Sequence, residues 1–136
     1  MAMETSLSIP VREEDIDYLG HMNYTRYIHF FELGIGDWYK KAGVPHTDSK
    51  GTVLGTVVVY FDINYIKEAR LGEALQVVTT PGHLGTKSFT FKQTIFNEKE
   101  ELITECNKKF VMFDTSIRKG IPVVEEIVKH FLEDNH

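Results

Sequence analysis

Between residues 15 and 27 the chain reads DIDYLGHMNYTRY, which sets Asp17, His21 and Asn23 directly ahead of a long aromatic pattern. A carboxylate at such a place can take a proton from water or attack a carbonyl itself, an imidazole can orient that water, and an asparagine can cap a helix. The first turn of a helix adds unpaired backbone N–H groups and the positive end of the dipole, where a polarised oxygen is stabilised. Local composition alone favours a turn or cap role for Asp17, so the elements around it carry the next step.

Tyr24, Tyr27, Ile28, Phe31, Ile35, Trp38 and Ala42 recur at steps of three and four, which predicts a helix over 24–42 ended by Gly43 and Pro45. That helix is about 28 Å long, enough to lie across several strands. Phe30 and Leu33 widen its apolar stripe, and Gly34 and Gly36 suggest close approach of another backbone. A strand over 7–11, with Pro10 marking an edge, precedes it, and a loop over 46–52 follows.

The rest reads as strand. Val57, Val59, Phe61, Ile63 and Tyr65 form one alternating row against Val58, Tyr60, Asp62 and Asn64; Leu75, Val77 and Thr79 form another, and Phe89, Phe91 and Ile95 a third. Turns over 82–86 and 97–101 lead to a last strand over 102–113, and a helix over 124–132 closes the chain with Ile127, Val128 and Phe131 on one side. One helix and then consecutive strands mean an α+β domain rather than alternating βαβ units. A curved antiparallel sheet around one helix leaves edges that a second copy can cover.

The 136 residues, with 42% hydrophobic and 12% aromatic content, suit a single domain over 1–136. A formal net charge of -5 with scattered lysines and arginines argues against a nucleic-acid partner. The single cysteine, Cys106, excludes an intrachain disulfide, and no cysteine set has zinc spacing. His29 and Glu32 have helix metal-pair spacing but no second pair, so no metal is expected. With no leader-like or bilayer-length apolar run, a cytoplasmic protein without membrane partners is expected.

Asp17 with Gly20, His21, Asn23 and Tyr27 at the start of a long helix resembles the hotdog-fold acyl thioesterases of the 4-hydroxybenzoyl-CoA thioesterase superfamily. Asp62-Ile-Asn-Tyr65 with Ala69, Gly72 and Glu73, then Lys87-Ser88, then Ile121-Pro122, resemble further pieces of that family in order, so the likeness spans about 7–131. The resemblance implies a hotdog fold, a curved antiparallel sheet wrapped around the central helix. It implies an acyl-CoA thioesterase without cofactor, forming a homodimer or homotetramer with its site at the subunit interface. Within that frame Asp17 is the expected base or nucleophile, His21 and Asn23 its candidate helpers, and the N–H groups of Met22, Asn23 and Tyr24 the oxyanion donors.

Tyr27 and Phe31 are expected in the acyl pocket, and Lys67, Arg70 and Lys87 at the CoA phosphates. Glu32 is the fallback carboxylate, because another branch of the superfamily carries its own on the helix, and Asp62, expected to face solvent or the other subunit, is named only as a candidate support for the site residues. Two other readings stay open: a hotdog hydratase or dehydratase, in which His21 and Asp17 would form the acid–base pair, and a non-catalytic acyl-CoA-binding module. Acyl length or aromaticity, and CoA against carrier protein, are not legible in the chain.

Overall fold

The computed structural model describes residues 2–47 and 50–132, so part of the loop expected over 46–52 lies outside the described residues. Eight elements follow in order: β1 (Thr5–Pro10), α1 (Tyr24–Ala42), β2 (Leu54–Tyr65), β3 (Ala74–Leu84), β4 (Ser88–Phe96), β5 (Leu102–Asp114), β6 (Lys119–Gly120) and α2 (Glu125–Leu132). The sheet is antiparallel throughout, in the order β1-β3-β4-β5-β2, with the short β6 beside the end of β5. This is the α+β architecture expected, with β1 and β2 at the edges and α1 held against one face.

The helix runs over the residues its periodicity marks. Asn23 caps the start, its Oδ1 accepting from Thr25 N–H at 2.9 Å, and Gly43 ends it in the left-handed region at φ 74°. Tyr27, Phe30, Phe31, Gly34, Ile35, Trp38 and Ala42 form the buried face. Leu33 is exposed instead, so the stripe is narrower on that side than expected. Trp38 anchors the distal core against Phe91 and Phe131, and its Nε1–H donates to Met3 O at 2.8 Å.

The two helix glycines differ. A Cβ on Gly34 would lie 2.7 Å from Val77 Cγ1 and 3.0 Å from Gln93 Nε2, whereas one on Gly36 would meet nothing within 4 Å. What approaches Gly34 is therefore a set of sheet side chains, among them buried Gln93, which donates to Phe31 O at 2.9 Å and to Thr79 Oγ1 at 3.0 Å. Gly34→Ala is expected to destabilise the fold by about 1–3 kcal/mol through overpacking, measured by urea unfolding. A variant as stable as the parent would show that this contact has slack.

The register of β2 departs from simple alternation. Val58 pairs with Phe110, but Tyr60 pairs with Lys109 and Phe61 with Lys108, so one extra residue is accommodated around Val59. The buried β5 residues Cys106, Lys108, Phe110 and Met112 face α1, and their partners Ile63, Phe61, Val58 and Thr56 share that face. The row expected to join Val57 and Val59 to Phe61 is thus corrected: a one-residue slip moves side chains to the other face, and Val57 and Val59 point away from the helix. Asp62 is on that outer face too, bonded by Tyr60 Oη–H and by Asn107 N–H and Nδ2–H. It is not a helper of the helix terminus.

Candidate active site

The segment between β1 and α1 folds back on itself. Gly20 N–H donates to Asp17 O at 3.0 Å, Asp17 N–H to His21 O at 3.1 Å, and Leu19 N–H to Asp17 Oδ1 at 2.9 Å. Ile16 and Met22 pair as an isolated bridge across this loop. Gly20 sits at φ 86°, a conformation costly for a residue with a Cβ, which accounts for glycine before His21. The loop holds Asp17 through one carboxylate oxygen; Oδ2 has no hydrogen-bond partner among the described residues.

The helix start shows which N–H groups are free. Met22 N–H donates to Ala69 O at 3.0 Å and Asn23 N–H to Asp15 O at 2.9 Å, while Thr25 N–H is taken by the Asn23 cap. The expectation that Met22 and Asn23 serve as oxyanion donors is corrected on this point, because tertiary acceptors occupy both. Tyr24 N–H alone of the three expected donors has no acceptor among the described residues, as the first helical position allows. Asn23 is a cap by its bonds, and it does not line the cavity beside it.

That cavity, about 470 Å³, is lined by Asp17, Leu19, His21, Met22, Tyr24 and Tyr27 from the loop and helix, and by Tyr65, Ile66, Lys67 and Glu68 from the end of β2 and beyond. Tyr27 and Tyr65 meet edge to face at 5.5 Å between centroids. The Tyr65 hydroxyl donates to Tyr24 O at 2.9 Å, and the Tyr27 hydroxyl accepts from Ala69 N–H at 2.9 Å. Burial pushes both phenols above their ordinary range, so they act as neutral walls. Tyr65 was missed by sequence reasoning, although its place in the row of Phe61 and Ile63 put it on the helix side.

Other groups fall outside. Phe31 is fully buried in the core and does not line the cavity, which corrects its assignment to the acyl pocket. His21 Nε2 lies 3.7 Å from Glu68 Oε2, beyond a hydrogen bond, and Asp17 Oδ1 is bonded to Leu19, so no tight histidine–carboxylate pair is formed. Burial pushes the Cys106 thiol up to about 12, which removes it as a nucleophile. His29 and Glu32 diverge: His29 is exposed toward β1, and Glu32 is paired with Lys108.

The profile of the thioesterase-like superfamily matches residues 11–131. This chain belongs to the thioesterase-like superfamily. Among curated relatives, the long-chain acyl-CoA thioesterase FadM of Escherichia coli (strain K12) is 28% identical over 124 residues, covering 88% of this chain and 90% of the relative. The solved structure of Slr0204, a 1,4-dihydroxy-2-naphthoyl-CoA thioesterase from Synechocystis, superposes with a TM-score of 0.86 at 17% identity, over 98% of this chain and 100% of that one. A 4-hydroxybenzoyl-CoA thioesterase mutant complexed with 4-hydroxybenzoyl-CoA gives 0.84 at 17% identity, over 93% and 97%. The expected hotdog fold is borne out, and the superfamily is one of thioester hydrolases.

For a thioesterase-like chain, the cations near this cavity matter for the leaving group. Lys67 lines the mouth and is ion-paired with Glu101, and Arg70 Nη2 lies 2.5 Å from Glu68 Oε1. Lys87 is elsewhere: its carbonyl bonds Met112 N–H, whereas Tyr65 pairs with Thr104, and the eight residue steps along β5 between these put it about 26 Å away. Within one chain Lys87 is therefore not a cation of this cavity. No described helix is long and apolar enough to cross a membrane.

Proposed function

We propose that this chain hydrolyses acyl-CoA thioesters at the Asp17–Tyr24 cavity, releasing the free acid and coenzyme A. One observation carries the reading: Asp17 and Tyr24 line the same cavity, and neither Asp17 Oδ2 nor Tyr24 N–H has a hydrogen-bond partner among the described residues. The thioester carbonyl oxygen takes the Tyr24 N–H. Asp17 Oδ2 then removes a proton from water as it attacks the carbonyl carbon, or attacks that carbon itself. Negative charge collects on the carbonyl oxygen, where the N–H and the helix dipole stabilise it, and the C–S bond breaks to expel the thiolate. In the second route water afterwards cleaves the acyl–Asp17 anhydride; both end with a proton on sulfur and a free carboxylate product.

Acyl groups sit against Tyr27 and Tyr65, and Lys67 and Arg70 meet the phosphates at the mouth by exchanging Glu101 and Glu68 for them. His21 orients the attacking water. A second copy pairs along the β2 edge, where Val57, Val59 and Tyr60 stand exposed, and light scattering that finds a monomer would remove this part of the reading. Free-thiol release from a panel of aliphatic and aromatic acyl-CoA esters tests the activity. Turnover on at least one ester is expected; silence on all of them would sink the reading.

A further inference from the structure

The loop that carries Asp17 is closed at its base by a residue two positions upstream. Asp15 ends a short 3-10 turn over Glu13–Asp15, and its N–H, its carbonyl and both carboxylate oxygens are all engaged. The N–H donates to Arg12 O at 2.9 Å, and the carbonyl accepts Asn23 N–H at 2.9 Å. On the side chain, Oδ2 accepts Arg12 N–H at 2.9 Å and Oδ1 accepts Arg26 Nε–H at 2.7 Å. Arg26 N–H in turn donates to Asn23 O at 2.9 Å, so Asp15, Asn23 and Arg26 form a closed ring of three hydrogen bonds at the start of α1. Asp17 follows the first of them by two residues, and Tyr24 lies between the other two.

Burial sets Asp15 apart. Its side chain is 3% exposed, against 33% for Arg26. Apolar groups of similar volume commonly serve stability as well as a buried ion pair does, so stability alone does not call for charges here. What charge-assisted bonds add is geometry, because they are short and directional. Neither Asp15 nor Arg26 lines the 470 Å³ cavity; both line a depression of about 260 Å³ with Ile9, His29 and Phe30 that shares no residue with it. The pair therefore acts on the cavity only through the chain segments it holds.

We propose that Asp15 and Arg26 are positioning residues for the hydrolysis, holding the Asp17 carboxylate in register with the N-terminus of α1. This rests on the roles given above to Asp17 and Tyr24. Asp17 Oδ2, or a water bound to it, has to stand within about 3.5 Å of a carbonyl carbon whose oxygen is on Tyr24 N–H, and a misplacement of about 1 Å can cost about 10²-fold in rate. The bond from Asn23 N–H to Asp15 O ties the residue before Tyr24 to the residue two before Asp17, so any movement of Asp15 changes the separation of the two reacting groups. The side-chain bonds to Arg12 N–H and Arg26 Nε–H restrain that movement. Tyr27 and Tyr65, which wall the cavity, are held by their own bonds to Ala69 and Tyr24, so substrate binding does not depend on the pair.

The test measures thiol release by Asp15→Asn, Arg26→Gln and Arg26→Lys, each alone and combined with Asp17→Asn, on the ester that wild type hydrolyses fastest, with rates corrected for the folded fraction. Asp15→Asn and Arg26→Gln should each lower kcat at least about tenfold, while KM and the affinity of a non-hydrolysable thioether analogue stay within about twofold. Arg26→Lys keeps the cation and should recover most of what Arg26→Gln loses. In the Asp17→Asn background there is no carboxylate to place, and the same substitutions should cost less than about threefold. A purely structural role would cost the same factor in both backgrounds; that result would overturn the proposal, as would an unchanged kcat or a loss confined to KM. The Arg26 variants supply the comparison if Asp15→Asn folds poorly. Amide hydrogen exchange gives a readout that needs no turnover: Asn23 N–H should exchange at least about tenfold faster in Arg26→Gln, with the core amides of β4 unchanged. If wild type releases no thiol from any ester, the hydrolysis reading fails on its own; faster exchange at Asn23 then keeps the positioning of this segment, and unchanged exchange overturns it.

Discussion

Asp17→Asn is expected to lower kcat/KM for every hydrolysed acyl-CoA by about 10²- to 10⁴-fold, the range for loss of a positioned general base. The loss should fall on kcat, because the group acts only as charge moves in the transition state. Folding should survive. The carboxylate's structural duty is one bond, Leu19 N–H to Oδ1, and an asparagine carbonyl oxygen at the same position can accept it. The loop's other bonds are main-chain contacts that the substitution does not touch. Steady-state kinetics beside thermal unfolding separate the two effects, with a stability change within about 0.5 kcal/mol expected. A variant that kept most of its turnover would show that Asp17 merely builds the turn and would shift attention to Glu32.

The helix was legible because its signals are local. Asn23 supplies the cap, residues 24–42 keep one periodicity, and Gly43 and Pro45 stop it, so its bounds follow from side chains a few positions apart. The face assignment in β2 was not legible, since the extra residue at Val59 is fixed by pairing with β5, about 50 positions along the chain. The same distinction governs the site. Asp17 stands out through the family resemblance and Tyr24 as one of three expected donors, but the N–H groups of Met22 and Asn23 are used by Ala69 O and Asp15 O, acceptors that only the folded chain brings near. Lys108 was hidden for a similar reason: in a strand of alternating charge and apolar residues it reads as solvated, and only β-sheet register turns it inward toward Glu32.

Those lost donors make the remaining one decisive, and the second large effect tests it. Tyr24→Pro deletes the N–H that is free to meet an oxyanion while leaving the helix intact. Proline is favoured at the first helical position, where the missing N–H has no intrahelical partner. It also requires an extended residue before it, and Asn23 already has φ -63° and ψ 140°. Tyr24→Ala removes the same exposed side chain but keeps the N–H, so the ratio between the two variants isolates the donor. Proline should be slower than alanine by about 10²- to 10³-fold in kcat, the loss measured when one oxyanion donor is removed elsewhere. KM should differ little between them, because the bond strengthens as the carbonyl oxygen gains charge. Equal rates would mean that the oxyanion forms away from the helix terminus.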